Sequence, residues 1–197
     1  MTRTARREQV LQAAALLFSK KGYHATTVRD IGEESGMLSG SLYAHIHRKE
    51  DLLYELVVRA AQRFQASVRP VVEGPGTASE KLARAMEAHL QVVAESLEHA
   101  KVFLHEWRAL TGERWEAAAA LRREYEDLLS VILQQGIRTG EFRAVDEKYA
   151  RLLILGALNW TYEWYDPQGP LGPAEIAKRF ADIVVAGLRN QEGGGTA

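Results

Sequence analysis

The chain has 197 residues, a formal net charge of −1 and no cysteine. This length suits one domain or two small ones with a buried core, and a hydrophobic fraction of 46% argues against disorder throughout. The lack of cysteine excludes disulfide frameworks, cysteine-ligated metal sites and thiol nucleophiles. No apolar run approaches the roughly 20 residues of a membrane span, and the N-terminal sequence is not of the secretory type, so we expect a cytoplasmic protein without membrane contact.

Hydrophobic periodicity predicts helices along almost the whole chain. The first runs over about residues 4–21 and ends at Gly22, where Lys20 and Lys21 favour the helix C-terminus. Its apolar face comprises Val10, Ala13, Ala14, Leu17 and Phe18. The second helix is capped by Thr26 or Thr27 and ends at residues 35–36.

The rest of the chain is also predicted to be helical. A short helix covers about residues 39–46, and a long one begins near Lys49 and meets its first break at residues 70–76. Later helices are predicted over residues 78–94, 97–110, 113–138, 146–165 and 174–190. No strand pattern or internal repeat occurs, so the predicted class is all-α. We expect an N-terminal domain (1–48), a larger C-terminal domain (49–192) and a disordered tail (193–197).

Charge is unevenly distributed between these predicted domains. Residues 1–49 contain eight basic and four acidic residues, a net charge of +4, whereas the remainder carries −5. A local basic patch is sufficient to attract phosphates even when the whole chain is neutral. The near-zero total therefore does not exclude a nucleic-acid partner.

Residues 26–46 have the pattern of a helix-turn-helix. Two short helices follow a longer one and meet at a turn that contains Gly36, which can take a positive φ. Their small predicted core comprises Val28, Ile31, Met37 and Leu42. The second helix presents small polar residues, as a helix that enters the major groove requires.

Four sequence blocks in this region resemble the TetR family of transcriptional regulators. They read FSKKGY (18–23), TTVRDI (26–31), GSLY (40–43) and KEDLL (49–53). The resemblance implies phosphate contacts from Thr27, Tyr43 and Lys49. It also implies contacts to phosphates or base edges from Arg29, Ser39, Ser41 and His45. Each has a structural alternative: Tyr43 could pack on the first helix, His45 could be simply exposed, and Arg29 could pair with Glu33.

The resemblance further implies a ligand-responsive regulator. Such a protein binds operator DNA as a homodimer and is released by a small hydrophobic effector in its C-terminal domain. Residues 38–43 look like the subset of the family that regulates lipid or aromatic-acid breakdown through acyl-CoA. The alternative is a repressor of efflux or detoxification genes that responds to a lipophilic drug or an aromatic acid. Repression is the expected mode, with activation as an alternative.

Aromatic residues are concentrated in the C-terminal part of the chain, where all four tryptophans lie after residue 100. Aromatic walls with a few polar groups suit a small-molecule cavity, although plain core packing is the alternative. The predicted ligand-binding residues are Phe103, Trp107, Arg108, Tyr125, Leu128, Ile132, Trp160 and Trp164. Nearby arginines could bind acyl-CoA phosphates or form surface ion pairs.

Two apolar stripes on the last long helices predict a dimer interface. One comprises Leu152, Leu153, Gly156 and Trp160, and the other comprises Ile176, Phe180, Ile183, Val184 and Gly187. Two such helices from each subunit would form a four-helix bundle. The alternative is an internal core.

An enzyme is not expected, because no phosphate-binding loop, nucleophile elbow or paired-histidine metal motif is present. No catalytic residue, cofactor or metal is therefore predicted, although Glu95, His99 and His105 could in principle gather a metal ion. A helical adaptor that does not bind DNA is the other alternative. The basic N-terminal region and the four motif blocks argue against it.

Overall fold

The computed structural model describes residues 3–37 and 48–190 of the chain. Nearly all of these residues lie in helices, which confirms the predicted all-α class. In chain order the helices are α1, Arg3–Lys21; α2, Val28–Glu34; α3, Lys49–Glu73; α4, Ala78–Glu95; α5, Leu97–Leu104; α6, Gly112–Thr139; α7, Glu147–Asn159; α8, Thr161–Trp164; and α9, Pro173–Leu188. A 3-10 turn, Glu106–Ala109, lies between α5 and α6.

The N-terminal elements follow the predicted pattern. Most of the apolar face of α1 is buried, while Leu17 is half-buried. Gly22 ends the helix with a φ of 84°, a left-handed conformation that glycine adopts without steric strain. Thr27, rather than Thr26, caps α2, and Thr26 is buried with its hydroxyl donating to the Gly22 carbonyl at 2.8 Å. The helix predicted over residues 39–46 lies outside the described residues.

The predicted break at residues 70–76 is confirmed, because α3 ends at Glu73 and the next helix begins at Ala78, although α3 includes Pro70. Proline lacks an N–H and so removes one hydrogen bond from the helix ladder. Only the last turn follows Pro70, and there the Gly74 N–H donates to the Pro70 carbonyl at 3.0 Å. Including the proline therefore costs the helix little stability.

Two predicted helices are interrupted. The helix expected over 97–110 ends at Leu104, and its last turns form the separate 3-10 segment. The helix expected over 146–165 breaks at Trp160, and Asp146 caps its N-terminus. After this break, the Thr161 hydroxyl donates to the Ala157 carbonyl at 3.3 Å, a local bond that often accompanies helix bending.

The described residues form two compact units. Unit 1 contains residues 3–37, 48–62 and 96–122, and unit 2 contains residues 63–95 and 123–190. Within unit 1, α1 packs against α2 and α5. Within unit 2, α9 packs along α4. The units reflect spatial contacts, and the sequence division at residue 48 stays a prediction.

Ion pairs join the N-terminal helix to α3 inside unit 1. Arg59 pairs with Glu8 at 2.7 Å, and Arg7 pairs with Glu55, which also accepts from Arg59 at 2.6 Å. Apolar contacts supply most of the packing, with Phe18 fully buried. The α1 helix is therefore held against the first half of α3 by both a buried face and a partly exposed network of charges.

Candidate functional site

The N-terminus of α2 places Thr27 at the surface in a defined orientation. The Thr27 hydroxyl accepts from the Asp30 N–H at 3.1 Å, and the Asp30 carboxylate accepts from the Thr27 N–H at 2.8 Å. Lys21 donates to the same carboxylate, and this bond, together with those from Thr27, lowers the pKa of Asp30 to about 2. The cap is therefore held by an ionised carboxylate beside an exposed threonine.

Arg29 lies on the exposed side of α2 and forms the predicted alternative pair with Glu33. Its Nε donates to Glu33 Oε1 at 2.8 Å, and its side chain is 81% exposed. An exposed pair one helical turn apart contributes little to stability, because solvent screens the two charges. The pair does not prevent Arg29 from contacting a phosphate.

Lys49 has a structural role within unit 1. Its Nζ donates to the main-chain carbonyls of Tyr23 and Thr26, each at 2.6 Å, and lies 4.1 Å from the centre of the Tyr23 ring. Desolvation lowers the pKa of Lys49, and the negative charge of Asp30 opposes this shift. An ammonium group has three protons, so one donor is left for the predicted phosphate contact.

The other predicted DNA contacts, Ser39, Ser41, Tyr43 and His45, lie outside the described residues. Thr27, Arg29 and Lys49 all belong to unit 1. Their roles in binding DNA stay predictions.

A polar contact that the sequence did not reveal connects the loop after α1 with the 3-10 turn. The Tyr23 N–H donates to Glu106 Oε2 at 2.8 Å, and Glu106 Oε1 lies 3.1 Å from His105 Nδ1. The side chain of Glu106 is only 12% exposed. Residues 23 and 106 are far apart along the chain, so no local sequence pattern indicates their contact.

A second polar network lies at the start of α3. Glu50 accepts from both the N–H and the hydroxyl of Thr111 at 2.9 Å. Arg114 pairs with Glu50 at 3.4 Å and also with Asp51. The guanidinium of Arg114 is therefore engaged in ion pairs with both carboxylates.

The predicted ligand-binding residues Phe103, Trp107 and Arg108 lie in unit 1. Phe103 is buried, and the Arg122 guanidinium lies 5.0 Å from its ring centre and 4.9 Å from that of Trp107. Trp107 stacks on Trp115 with ring centres 6.0 Å apart, and Arg108 lies 5.3 Å from the Trp107 ring. Aromatic and cationic side chains are therefore combined in one cluster.

The predicted residues Tyr125, Leu128 and Ile132 lie in the core of unit 2 and are buried. Tyr125 is hydrogen-bonded to His89, whose Nδ1 lies 2.6 Å from the phenol oxygen. His89 is fully buried, and its burial lowers its pKa to about 3. No sequence pattern predicted this pair, although His89 lies on the same helix as the buried apolar residues Met86, Leu90 and Val93.

Trp160 and Trp164 occupy the surface of unit 2. Their exposed fractions are 61% and 47%, and the Trp164 ring packs edge-on against Phe180 at 6.2 Å. Their predicted role in ligand binding is untested. Trp164 therefore contacts α9 through Phe180, and Trp160 lies at the C-terminal end of α7.

Unit 2 has an exposed apolar face on α7 and α9. We define the face as Tyr149, Leu152, Leu153, Trp160 and Ile183. A groove of about 490 Å³ lies within it and is lined in part by Tyr149, Leu153, Ile183 and Leu188. Exposed apolar patches of this kind are typical of interaction surfaces.

One member of the predicted dimer stripe is misplaced. Ile176 is buried within unit 2, where α9 packs along α4, so it contributes to the unit's own core. Phe180 and Val184 are half-buried, whereas Ile183 is exposed. The sequence stripe therefore combines an inward face of α9 with part of its outward face.

Within residues 3–37 and 48–190, no three or more acidic or histidine side chains are arranged to hold a metal ion. Among the same residues, no helix combines the length and apolarity needed to cross a membrane. Glu95 instead pairs with Arg63, and His99 Nδ1 lies 2.6 Å from the Ser96 hydroxyl.

Two family models match the chain. Residues 10–56 match the model of bacterial regulatory proteins of the tetR family, and residues 75–188 match the tetracyclin repressor-like C-terminal domain. The second match alone covers more than half of the chain. The chain belongs to the TetR family of transcriptional regulators. As a member of this family it is a DNA-binding regulator and not an enzyme.

Similar TetR-family proteins match along nearly their whole length. The transcriptional repressor KstR2 of Mycolicibacterium smegmatis is 27% identical over 96% of this chain and 93% of its own. The fatty acid metabolism regulator protein of Bacillus subtilis is 26% identical over 93% of this chain and 95% of its own.

A solved TetR-family structure shares the fold of both parts of the chain. The protein AibR, solved with isovaleryl coenzyme A and operator DNA, has a TM-score of 0.80 and 29% identity. The match covers 93% of this chain and 98% of AibR. In that structure AibR binds both isovaleryl coenzyme A and operator DNA.

Proposed function

We propose that this TetR-family protein is a repressor that binds operator DNA as a homodimer and is released by an acyl-CoA thioester. The observation that carries the proposal is the family match across both parts of the chain, together with a similar structure that holds both ligands. The name of KstR2 supports repression as the mode of regulation. The name of the Bacillus subtilis regulator supports a lipid-derived effector.

The basic N-terminal region supports the DNA contact. Residues 1–49 carry a net charge of +4, and Thr27 and Arg29 are exposed together on α2. The Thr27 hydroxyl accepts from the Asp30 N–H and keeps its own proton, which it can donate to a phosphate oxygen. Arg29 adds an exposed cation on α2.

The exposed apolar face supports the homodimer. Leu153 and Ile183 are 70% and 72% exposed, although both are large aliphatic residues. A twofold axis would place this face against the same face of a second subunit. Each of its side chains would then be buried once in each subunit and would contribute twice to the free energy of dimerisation. Dimerisation also brings two DNA-binding domains together and so increases the specificity for operators with paired half-sites.

The aromatic and cationic cluster around Trp107 supports an effector with both apolar and anionic parts. Arg108 is exposed beside this cluster, and a guanidinium group binds phosphate oxygens through two parallel hydrogen bonds. Acyl-CoA thioesters combine an apolar chain with phosphates. The cluster therefore offers partners for both parts of such a molecule.

The Arg29→Ala variant tests the DNA contact without disturbing the fold. We expect roughly tenfold weaker operator binding and a smaller salt dependence, by about one unit of slope, because one phosphate contact is lost. The readout is a mobility-shift or anisotropy titration of promoter fragments over a range of salt concentrations. Arg179→Ala is the matched control, because Arg179 also forms an exposed pair, with Glu175 at 3.2 Å, but lies on α9.

The control is expected to bind DNA like the wild type. An equal loss of operator affinity in both variants would argue against a specific role for Arg29. If the wild-type protein shifts no genomic fragment at any salt concentration, the proposed function itself is wrong.

The Glu106→Ala variant tests how the effector signal reaches the DNA-binding residues. We expect operator affinity to change little, while release by acyl-CoA requires about tenfold more ligand, because the Tyr23 N–H loses its acceptor on the 3-10 turn. Operator release is titrated with short-, medium- and long-chain acyl-CoA thioesters. Glu106→Gln keeps an acceptor oxygen and should restore much of the response.

The matched control for this experiment is Glu98→Ala, because Glu98 is exposed on the neighbouring helix α5. It should leave both operator affinity and release unchanged. If acyl-CoA releases the Glu106→Ala variant from operator DNA as readily as the wild type, the contact between Tyr23 and Glu106 does not transmit the effector signal.

A further inference from the structure

An exposed tryptophan of unit 1 belongs to a cluster that combines aromatic rings with arginine side chains. The cluster comprises Phe103, Trp107, Arg108, Trp115 and Arg122, and all five residues lie in unit 1. Trp115 stacks on Trp107 with ring centres 6.0 Å apart and 22° between the ring planes, and it remains 43% exposed. The cluster therefore presents an indole ring to solvent.

The inner part of this cluster is held in place by Arg122. Its Nη1 donates to the main-chain carbonyl of Phe103 at 3.0 Å, and its guanidinium lies 4.9 Å from the ring centre of Trp107. Phe103 itself is buried. Contacts with both Arg122 and Trp115 restrain the Trp107 indole, so the stacked pair is ordered before a ligand binds.

Arg108 supplies positive charge beside the stacked pair. It is exposed, and its guanidinium lies 5.3 Å from the Trp107 ring centre. Arg59 and Arg114 of the same unit pair with carboxylates, whereas Arg108 makes no ion pair with any residue that the structure describes. Its charge is therefore available to an anionic group, and a guanidinium can bind two phosphate oxygens at once.

The exposure of this surface selects the part of an acyl-CoA that it can bind. An acyl chain gains most where apolar groups remove it from water on all sides, which an open indole face does not provide. A purine base is planar, and it can stack on an indole while its polar edge stays in water. The nucleotide end of coenzyme A joins adenine to phosphates, and it therefore matches an exposed indole beside an exposed guanidinium.

We propose that Trp115 stacks on the adenine of the acyl-CoA effector and that Arg108 binds a phosphate of the same nucleotide. The inference rests on the proposed effector class, and it assigns a site to the end of the molecule that all acyl-CoA thioesters share. Recognition of the nucleotide distinguishes an acyl-CoA from a free fatty acid or an apolar drug.

The test compares each acyl-CoA with the pantetheine thioester of the same acyl chain, which lacks the nucleotide. The probes are isovaleryl, octanoyl and lauroyl thioesters, and calorimetry on the whole chain measures their affinities. We expect the wild type to bind acyl-CoA about 100-fold more tightly, because stacking and the phosphate contact each contribute about tenfold. Trp115→Leu and Arg108→Gln should each reduce this preference to about tenfold, and the double variant should abolish it.

Two further variants serve as controls. Trp115→Tyr keeps an aromatic ring for stacking and should retain most of the preference. Arg179→Gln removes an exposed arginine of α9 and should leave the preference unchanged. Thermal unfolding confirms that each variant is folded.

The possible failures of this test are distinguishable. A full preference for acyl-CoA in both Trp115→Leu and Arg108→Gln overturns the inference but leaves the effector class intact, as do equal affinities of the wild type for both thioesters. ATP offers adenine and phosphates without an acyl chain, and tighter binding of ATP than of acyl-CoA would assign the site to a free nucleotide instead. If the wild type binds neither kind of thioester, the effector class fails, and the inference fails with it.

Discussion

The Leu153→Arg variant is expected to be a monomer that binds operator DNA roughly 100-fold more weakly than the wild type. The reason is that two DNA-binding domains linked in one dimer gain about 10²–10⁴ in avidity. Leu153 projects from α7 into the exposed apolar face and lines its groove. Burying a leucine contributes about 1.5–3 kcal/mol, and a symmetric interface contains it twice. The arginine would also place two unpaired charges in an apolar contact.

Sedimentation measures the oligomeric state of this variant, and fluorescence anisotropy measures its operator affinity. Ile183→Arg should behave in the same way, because Ile183 lies on the same face from α9. Gln91→Arg is the control, since Gln91 is exposed on α4 outside this face. A dimer with normal operator affinity in both face variants would exclude the α7–α9 face as the subunit interface.

Acidification from about pH 6.5 to about pH 5 is expected to reduce the free energy of unfolding by about 2 kcal/mol through His89 alone. Burial lowers the pKa of His89 from its ordinary value of 6.5 to about 3. Between these two values the unfolded chain binds a proton that the folded protein does not bind. The contribution is therefore complete above pH 6.5, and it is lost progressively as the pH falls towards 3.

Urea unfolding at several pH values and one protein concentration measures this loss, because the stability of an oligomer depends on concentration. The His89→Phe/Tyr125→Phe variant should show a curve flatter by about one proton, since both partners of the buried hydrogen bond are replaced by apolar rings. His24→Gln is the control, because His24 is exposed in the loop after α1. An unchanged pH dependence in the double variant would contradict the neutral, buried state of His89.

Much of unit 1 was predictable because its signals are local. The burial of Val10, Ala14 and Phe18 follows from their spacing on one helix face, and Gly22 ends that helix through its own backbone freedom. The Thr27 cap likewise depends on a residue only three positions later. The motif blocks then indicated the family, which the family models confirmed.

The breaks in the later helices were less predictable, because they depend on competition between local bonds and distant packing. Periodicity continues through His105 and Trp160, yet the backbone turns at both residues. Pro70 shows the converse, because α3 continues past this strong local signal for a break and ends at Glu73. In each case the helix ends where other groups can replace the main-chain hydrogen bonds of the helix ladder.

The all-α class, the family and the basic N-terminal region follow from the amino-acid sequence, because spacing, caps and charge are properties of neighbouring residues. The residues that meet across long separations in the chain become evident in the folded protein. It paired His89 with Tyr125 and Tyr23 with Glu106, and it placed Ile176 inside unit 2 but Ile183 on its surface. Periodicity states that a helix has an apolar face, whereas the neighbour that covers this face depends on how distant segments pack.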